Sequence, residues 1–517
     1  MNESTLTAWR GRRITVIGLA ALFLVALGAR LAATVILGAA HPDRRPVAYE
    51  HGEIAKNLLA GRGFSVRFLG GEGPTSQQAP FYPFALAAAY SLFGTEGFAA
   101  HRAMQILQCF IGALTPVLLA WLCWSLLPAT GTGTPHGRMI GWLAGWGAAL
   151  HPAQIYMVTH LQVVVWATTF LTLVIAVAAD PRWRATRRGA TLTGFLGGCL
   201  LLIDPILALA LPVAALLHWL PSGGRDREDQ SHGDRGDPRH GDGIWFPRSL
   251  LRPALVALMA IITVSPWLVR NCLVHGEFVF IKDTLGYAFW QGNNPASWGT
   301  DKIPKDSAAA ALRDHDGTLA GFNRAMWEAR HETLYIDDVL LKPNGYREFE
   351  GLTEPQRSRL LGARGMRFVR ENPGRYAGLC LQRLRYFLLF DETNPKTASK
   401  IYRATTVIWL TLIAIGALMI GSDWRRLWPT AAIFAAVTLF HVLTITSVRF
   451  RFPIEPLTYP WAAFALAPLL TGSGKQTPVA EKSSSSQTDA ASSSSRPLRG
   501  PHRKNQRAPV ARRARRL

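Results

Sequence analysis

Metal-type cysteine spacing, paired histidines, internal repeats and a signal-peptide cleavage site are all missing from this 517-residue sequence. The five cysteines, Cys109, Cys123, Cys199, Cys272 and Cys380, are scattered, which argues against a zinc scaffold or a dithiol redox motif. Three of them lie inside apolar runs and read as packing residues, while Cys272 and Cys380 fall near one face and leave a disulfide open. No Ser/His/Asp arrangement stands out, so nothing points to a triad hydrolase. The first apolar run, Val16 to Leu37, lacks the small-residue cleavage site and short core of a signal peptide, and reads as a retained first helix.

Long apolar blocks are what the chain has instead. Hydrophobic residues make up 49% of it and arrive uninterrupted rather than in amphipathic stripes, the pattern of an integral membrane protein. After Val16 to Leu37 come Ala103 to Leu126, Ile140 to Tyr156, Val163 to Ala179, Leu192 to Ile203, Ile206 to Trp219, Leu250 to Leu268, Thr405 to Ile420, Pro429 to Thr446 and Ile454 to Leu470. These predict an all-α polytopic membrane protein with about ten transmembrane helices. The roughly 28 residues from Leu192 to Trp219 make either one tilted helix or two short ones broken at Asp204-Pro205.

Short cytosolic loops carry the Lys/Arg excess, which orients the chain. Arg10, Arg12 and Arg13, then Arg182 to Arg188, Arg225 to Arg252, and Arg425 with Arg426 fall on one side if Leu192 to Trp219 crosses twice and Pro80 to Phe93 does not cross. Both termini are then cytosolic. Pro80 to Phe93, about 14 residues, is too short to span comfortably and lies at the outer interface. Two large loops, 41–101 and 273–400, face outward. The expected domains are a cytosolic N-terminus (1–13), a membrane domain (14–471) and a disordered basic tail (472–517).

The net charge of +22 is concentrated in that tail, where serine runs lead into Arg512, Arg513, Arg515 and Arg516. Without interleaved aromatics it reads as a contact for anionic lipid headgroups, not for nucleic acid. The Asp-, Arg- and Gly-rich stretch 223–243 reads as a solvated linker. Gly472-Ser473-Gly474-Lys475 imitates the end of a phosphate-binding loop but lacks the earlier glycine and the preceding strand. Asp314-His315-Asp316 imitates an acid-x-acid metal site but reads as a solvated loop on the outer side.

The first outer loop carries the most chemistry. Glu50 to Leu59 reads as a helix with Ile54, Ala55, Leu58 and Leu59 turned to the membrane, ended by Gly61-Arg62-Gly63. Glu50 and Glu53 lead it, and on spacing alone either is an ordinary helix-start acid. The runs YEHGEIAKNLLAGRGFS and PTSQQAPFYPFALAAAYSLFG resemble the first external loop of polyprenyl-phosphate-sugar-dependent glycosyltransferases of the GT-C fold. That group includes the dolichyl-phosphate-mannose protein mannosyltransferase-like and aminoarabinose-transferase-like families. Two later stretches are similar to bacterial members: Pro266 to Thr300, with Trp-x-x-Arg-Asn and Gly-Asn-Asn-Pro, and Val448 to Leu466, with Arg-x-Arg-x-Pro.

The resemblance implies a GT-C type architecture with interfacial helices in the first outer loop, and transfer of a sugar from a polyprenyl-phosphate donor to an acceptor outside the cytosol. It implies a catalytic acid near the start of the first outer loop. Glu50 matches best, and His51 in place of the usual Tyr keeps Glu53 as the register alternative. A carboxylate there takes the acceptor proton, worth ~10²- to 10⁴-fold. The phosphate leaving group needs cations rather than an acid.

Arg30, Arg270, Arg383, Arg385, Arg449 and Arg451 are candidates for that clamp, against headgroup snorkelling as the plainer role. Arg30, inside the first span, needs a cavity or a partner such as Asp204. Asn293 and Asn294 either form a turn or contact sugar hydroxyls, with Lys282 and His275 nearby. No cofactor and no metal ligand set is indicated, and a divalent ion stays open. The acceptor is not specified. The competing expectations are a lipid or polysaccharide transporter, and a ligase joining lipid-linked polysaccharide to an acceptor without Glu50-dependent transfer.

Overall fold

The computed structural model describes residues 3–39, 48–95, 98–127, 136–220, 250–313 and 315–471. The linker 223–243, the tail 472–517 with its phosphate-loop imitation, and Asp314 lie outside the described residues. The principal helices are α1 (Glu3–Ala39), α2 (Tyr49–Leu59), α3 (Phe81–Phe93), α4 (Phe98–Leu126), α5 (His136–Leu150), α6 (Val164–Ala179), α7 (Arg187–Ile203) and α8 (Leu211–Trp219). They continue with α9 (Leu251–His275), α10 (Leu285–Gly292), α11 (Leu319–His331), α12 (Glu354–Glu371), α13 (Pro373–Leu388), α14 (Lys400–Met419), α15 (Trp424–Leu443) and α16 (Tyr459–Thr471). The two-residue strands Lys302–Ile303 and Leu334–Tyr335 pair antiparallel, with Lys302 opposite Tyr335.

Each of the ten apolar runs is mainly helical. Five described helical segments are long and apolar enough to cross a membrane: 14–37, 98–126, 251–275, 400–419 and 421–443. Shorter apolar helical pieces cover 81–93, 164–179 and 205–219. The chain is thus an all-α membrane protein. The Leu192 to Trp219 region is broken as its sequence suggests: α7 stops at Ile203, the Asp204 carboxylate accepts from the Ile206 amide at 3.2 Å, and a short 3₁₀ turn from Pro205 leads into α8.

The first loop segment is anchored from both sides. Phe64, Val66, Phe68, Leu69 and Ala79 form one buried cluster with Ile54 of α2, Val264 and Trp267 of α9, and Trp290, Ile336, Phe349 and Leu361 of the later segment. Burying side chains of this size is worth ~1.5–3 kcal/mol each, so the two loop segments are packed together rather than hinged apart. Here the sequence expectation is corrected: Ile54 and Ala55 do not face lipid but are fully buried inside the protein, and of that stripe Leu59 is the exposed one. Between α2 and α3 the chain makes a small turn, with Phe68 and Gly71 exchanging backbone bonds of 2.8 and 3.0 Å.

Candidate active site

A cavity of ≈ 2550 Å³ opens between these segments and the helices beneath them. One wall is apolar, from Ala29, Ala32, Ala33, Ile36 and Leu37 of α1 and Ile206 to Leu209 beyond the α7 break. The other is polar, with Tyr49, Glu50 and His51 of α2, Asp204, Lys282, Asp301, Lys302, Arg330, Lys396 and Arg449.

Glu50 stands at the start of α2, where helix-start preference favours an acid. Its carboxylate is exposed to the cavity and makes no hydrogen bond or ion pair among the described residues. The neighbouring His51, also on the cavity wall, is buried edge-on to Tyr82 at 5.1 Å between ring centroids. Burial, reinforced by Lys282 and Arg449, lowers the His51 imidazole to about 3, so it is neutral at physiological pH. Glu53, one turn on, does not line the cavity; it is exposed and 3.7 Å from Lys56.

Lys282 donates to the Gln78 side-chain carbonyl at 3.2 Å. Burial lowers its pKa, Asp204 pulls it up, Arg449 lowers it and Glu50 pulls it up; all four of these residues line the cavity. Arg449 lies over the Phe450 ring at 5.2 Å and has no acid paired with it among the described residues. Of the six clamp arginines Arg449 alone lines the cavity, and Lys282, expected from the sequence beside the sugar-contact candidates Asn293 and Asn294, lines it with Arg449.

The other arginines from the sequence reading are committed elsewhere. Arg30 is buried and donates to the carbonyls of Ala26, Ala148 and Ala149 at 3.0, 3.3 and 3.2 Å. Asp204 is not its partner: the Ala148 and Ala149 carbonyls in the last turn of α5 and the Ala26 carbonyl take the two terminal nitrogens, and Nε is buried without a hydrogen bond among the described residues. Arg270 donates to the Thr75 and Phe64 carbonyls at 2.7 and 3.0 Å and lies over Trp267, so it braces the first loop on α9. Arg383 is fully buried against the Gly292 and Val442 carbonyls and the Asn293 side chain, and Arg385 pairs with Glu392. Arg451 donates to Glu455 at 2.9 Å and to the Phe387 and Leu388 carbonyls at 3.1 and 2.7 Å.

Asn293 and Asn294 are buried. The Asn293 amide donates to the Phe289 and Thr444 carbonyls while its oxygen accepts from Arg383, and Asn294 accepts from the Ala296 amide at 2.9 Å in a side-chain turn. Neither lines the cavity. His275 contacts the Ser76 hydroxyl at 2.8 Å, also away from it. All five cysteines are free.

Several cavity residues had no signal in the sequence. Lys396 contacts His160 Nε2 at 2.5 Å and lies 5.7 Å from the Tyr156 ring and 5.2 Å from the Trp327 ring. Burial, with Arg330, Lys302 and Arg449 nearby, pushes its pKa well below the usual lysine range. Lys302 pairs with Asp301 at 2.5 Å; burial pushes the Asp301 carboxyl up, but Lys302 and Arg449 outweigh it and the net shift is down. Tyr287 donates to Asp337, which also accepts from Gln291 at 3.0 Å. Among the described residues no group of three His, Cys, Asp or Glu converges as a metal site.

Fold and site together define an all-helical membrane protein with a deep cavity, apolar on one side and on the other carrying a free carboxylate among cations. No family model matches the chain, and no curated protein matches it. Among solved structures it is similar to the archaeal oligosaccharyltransferase AglB from Archaeoglobus fulgidus, in complex with an inhibitory peptide and a dolichol-phosphate, at 15% identity and a TM-score of 0.48, covering 90% of this chain and 51% of that one. It is also similar to ArnT from Cupriavidus metallidurans bound to undecaprenyl phosphate, at 14% identity and a TM-score of 0.35, covering 88% of this chain and 77% of that one. The chain thus spans about half the length of the oligosaccharyltransferase.

Proposed function

We propose that this protein is a membrane glycosyltransferase that moves a sugar from a polyprenyl-phosphate donor to an acceptor on the extracytoplasmic face, with Glu50 as general base. The observation that carries the reading is the unpaired Glu50 carboxylate on the wall of a cavity that also holds Lys282 and Arg449. The apolar wall from α1 suits a polyprenyl chain, and the GT-C resemblance of the first loop supports the same donor class.

In this mechanism the acceptor hydroxyl attacks the anomeric carbon from the face opposite the phosphate. Its proton passes to Glu50 as the new C–O bond forms, a contribution of ~10²- to 10⁴-fold. The bond from the anomeric carbon to the phosphate oxygen breaks, and the phosphate leaves with the electron pair. Lys282 and Arg449 stabilise the charge growing on that oxygen, an effect that is strong in a site shielded from bulk water. The anomeric configuration inverts. The domain reading goes with it: residues 14–471 form the transferase, and both termini are cytosolic.

The test is purified protein in lipid nanodiscs with radiolabelled polyprenyl-phosphate hexoses and pentoses. Release or transfer of label above a protein-free control is expected. No turnover with any member of a panel varied in sugar and in lipid length overturns the assignment and leaves a transporter.

A further inference from the structure

Tyr49, the residue before Glu50, opens α2 with φ of 49°. Left-handed backbone is disfavoured for a side chain of this kind, because Cβ crowds the following carbonyl, so it persists only where the surroundings impose it. Three contacts surround this turn. The Arg330 guanidinium lies 4.9 Å from the centre of the Tyr49 ring. His51 is fixed edge-on to Tyr82. Gly52 donates its amide to the Ala48 carbonyl at 3.0 Å, and a Cβ on Gly52 would come within 2.8 Å of the Ala48 Cβ. Glu50 sits between these fixed points.

His51 and Gly52 belong to α2 itself, whereas Arg330 comes from α11, 281 residues after Tyr49 in the chain. Its guanidinium lines the cavity, makes no hydrogen bond or ion pair among the described residues, and lies over the Tyr49 ring. A cation over an aromatic face is worth about the right amount to offset one unfavourable backbone conformation. A small change in that backbone would redirect the carboxylate that follows it.

We propose that Arg330 is a positioning residue for Glu50, acting through Tyr49: by holding the ring it holds the left-handed turn that aims the carboxylate into the cavity. This rests on the reading of Glu50 as the base. It also makes docking of α11, part of the second loop segment, a condition for an aligned base in the first.

The test is a kinetic double-mutant cycle on the full-length protein in nanodiscs, with donor binding measured in parallel to set misfolded variants aside. Arg330→Met is expected to lower kcat by ~10- to 100-fold, the scale of a misaligned reacting group, with donor KM little changed. Arg330→Lys, which keeps a cation over the ring, is expected to restore most of that loss. Tyr49→Gly adopts the turn without strain and is expected to keep more activity than Tyr49→Ala. In the Tyr49→Gly background Arg330→Met is expected to add nothing. If the two losses instead multiply, or if Arg330→Met acts on KM, Arg330 touches substrate directly and the positioning role is overturned. A fully active Glu50→Gln, included as a control, overturns the base assignment itself, a different result from multiplying losses with Glu50→Gln inactive.

Discussion

Lys282 Nζ donates to Gln78 Oε1 at 3.2 Å, so a cation from the second loop segment is tied to the first, the one that carries Glu50. The tie uses one of three ammonium donors. The other two are available to a phosphate oxygen, as are the donors of Arg449.

Removing either clamp cation is therefore expected to weaken donor binding. Lys282→Met and Arg449→Met should each lose about 1.5–3 kcal/mol, roughly tenfold to a hundredfold in the Kd for a polyprenyl phosphate. Titration of each variant with the lipid checks this. Arg270→Met, which loses bonds to the Thr75 and Phe64 carbonyls, should act on thermal stability instead.

Asp283 gives a pH dependence of stability. Burial, then Glu354, pushes its carboxyl up to about 7, with Arg359 pulling down and Glu277 pushing up, and its Oδ2 is buried without a partner. The folded value lies above the ordinary carboxylate value of 3.8, so the folded protein keeps a proton that the unfolded chain has lost. Stability then falls as pH rises from 3.8 to about 7 and levels off above that. Asp283→Asn should raise the Tm at pH 8 and leave it nearly unchanged at pH 4. Thermal unfolding at the two pH values checks the sign.

Arg451 and Glu455 form a fully buried pair at 2.9 Å. Removing one partner strands the other charge, so Arg451→Met is expected to cost ~3–5 kcal/mol and Arg451→Met with Glu455→Gln considerably less. Thermal unfolding of the two proteins measures the difference. A double variant worse than the single would contradict the pair as drawn.

Orientation can be read from one exposed position. The Glu72 side chain is 76% exposed on the first loop segment, whereas Ser65 nearby is buried. In a background with Cys199, Cys272 and Cys380 replaced by Ser, Glu72→Cys should react with a membrane-impermeant maleimide added outside intact cells. Labelling from the cytosolic side alone would reverse the topology.

Much of this fold was legible because apolar runs and prolines act locally. Asp204-Pro205 marks a helix break from residue chemistry alone, whereas α9 runs to His275, beyond the Leu268 end of its apolar run, before Gly276 caps it in left-handed backbone at φ 69°. The site was legible in part: the loop start points to Glu50, but sequence cannot tell a cation facing a cavity from one facing carbonyls. Arg30, Arg383 and Arg451 looked alike with Arg449 until their partners were visible. The membrane-facing stripe on α2 failed because Trp267 and Trp290, far from it in sequence, share one buried cluster with Ile54. Lys396 and Arg330 were missed for the same reason, since their cavity forms when the second loop packs on the first.

Sugar transfer by Glu50→Gln and Glu53→Gln proteins, each compared with wild type at equal donor occupancy, tests the central claim most directly. Glu50 has no partner to lose and lines the cavity, while Glu53 is exposed beside Lys56. The account predicts that Glu50→Gln binds the lipid-linked sugar normally and turns it over ~10²- to 10⁴-fold more slowly, with Glu53→Gln near wild type. Wild-type turnover by Glu50→Gln would contradict it.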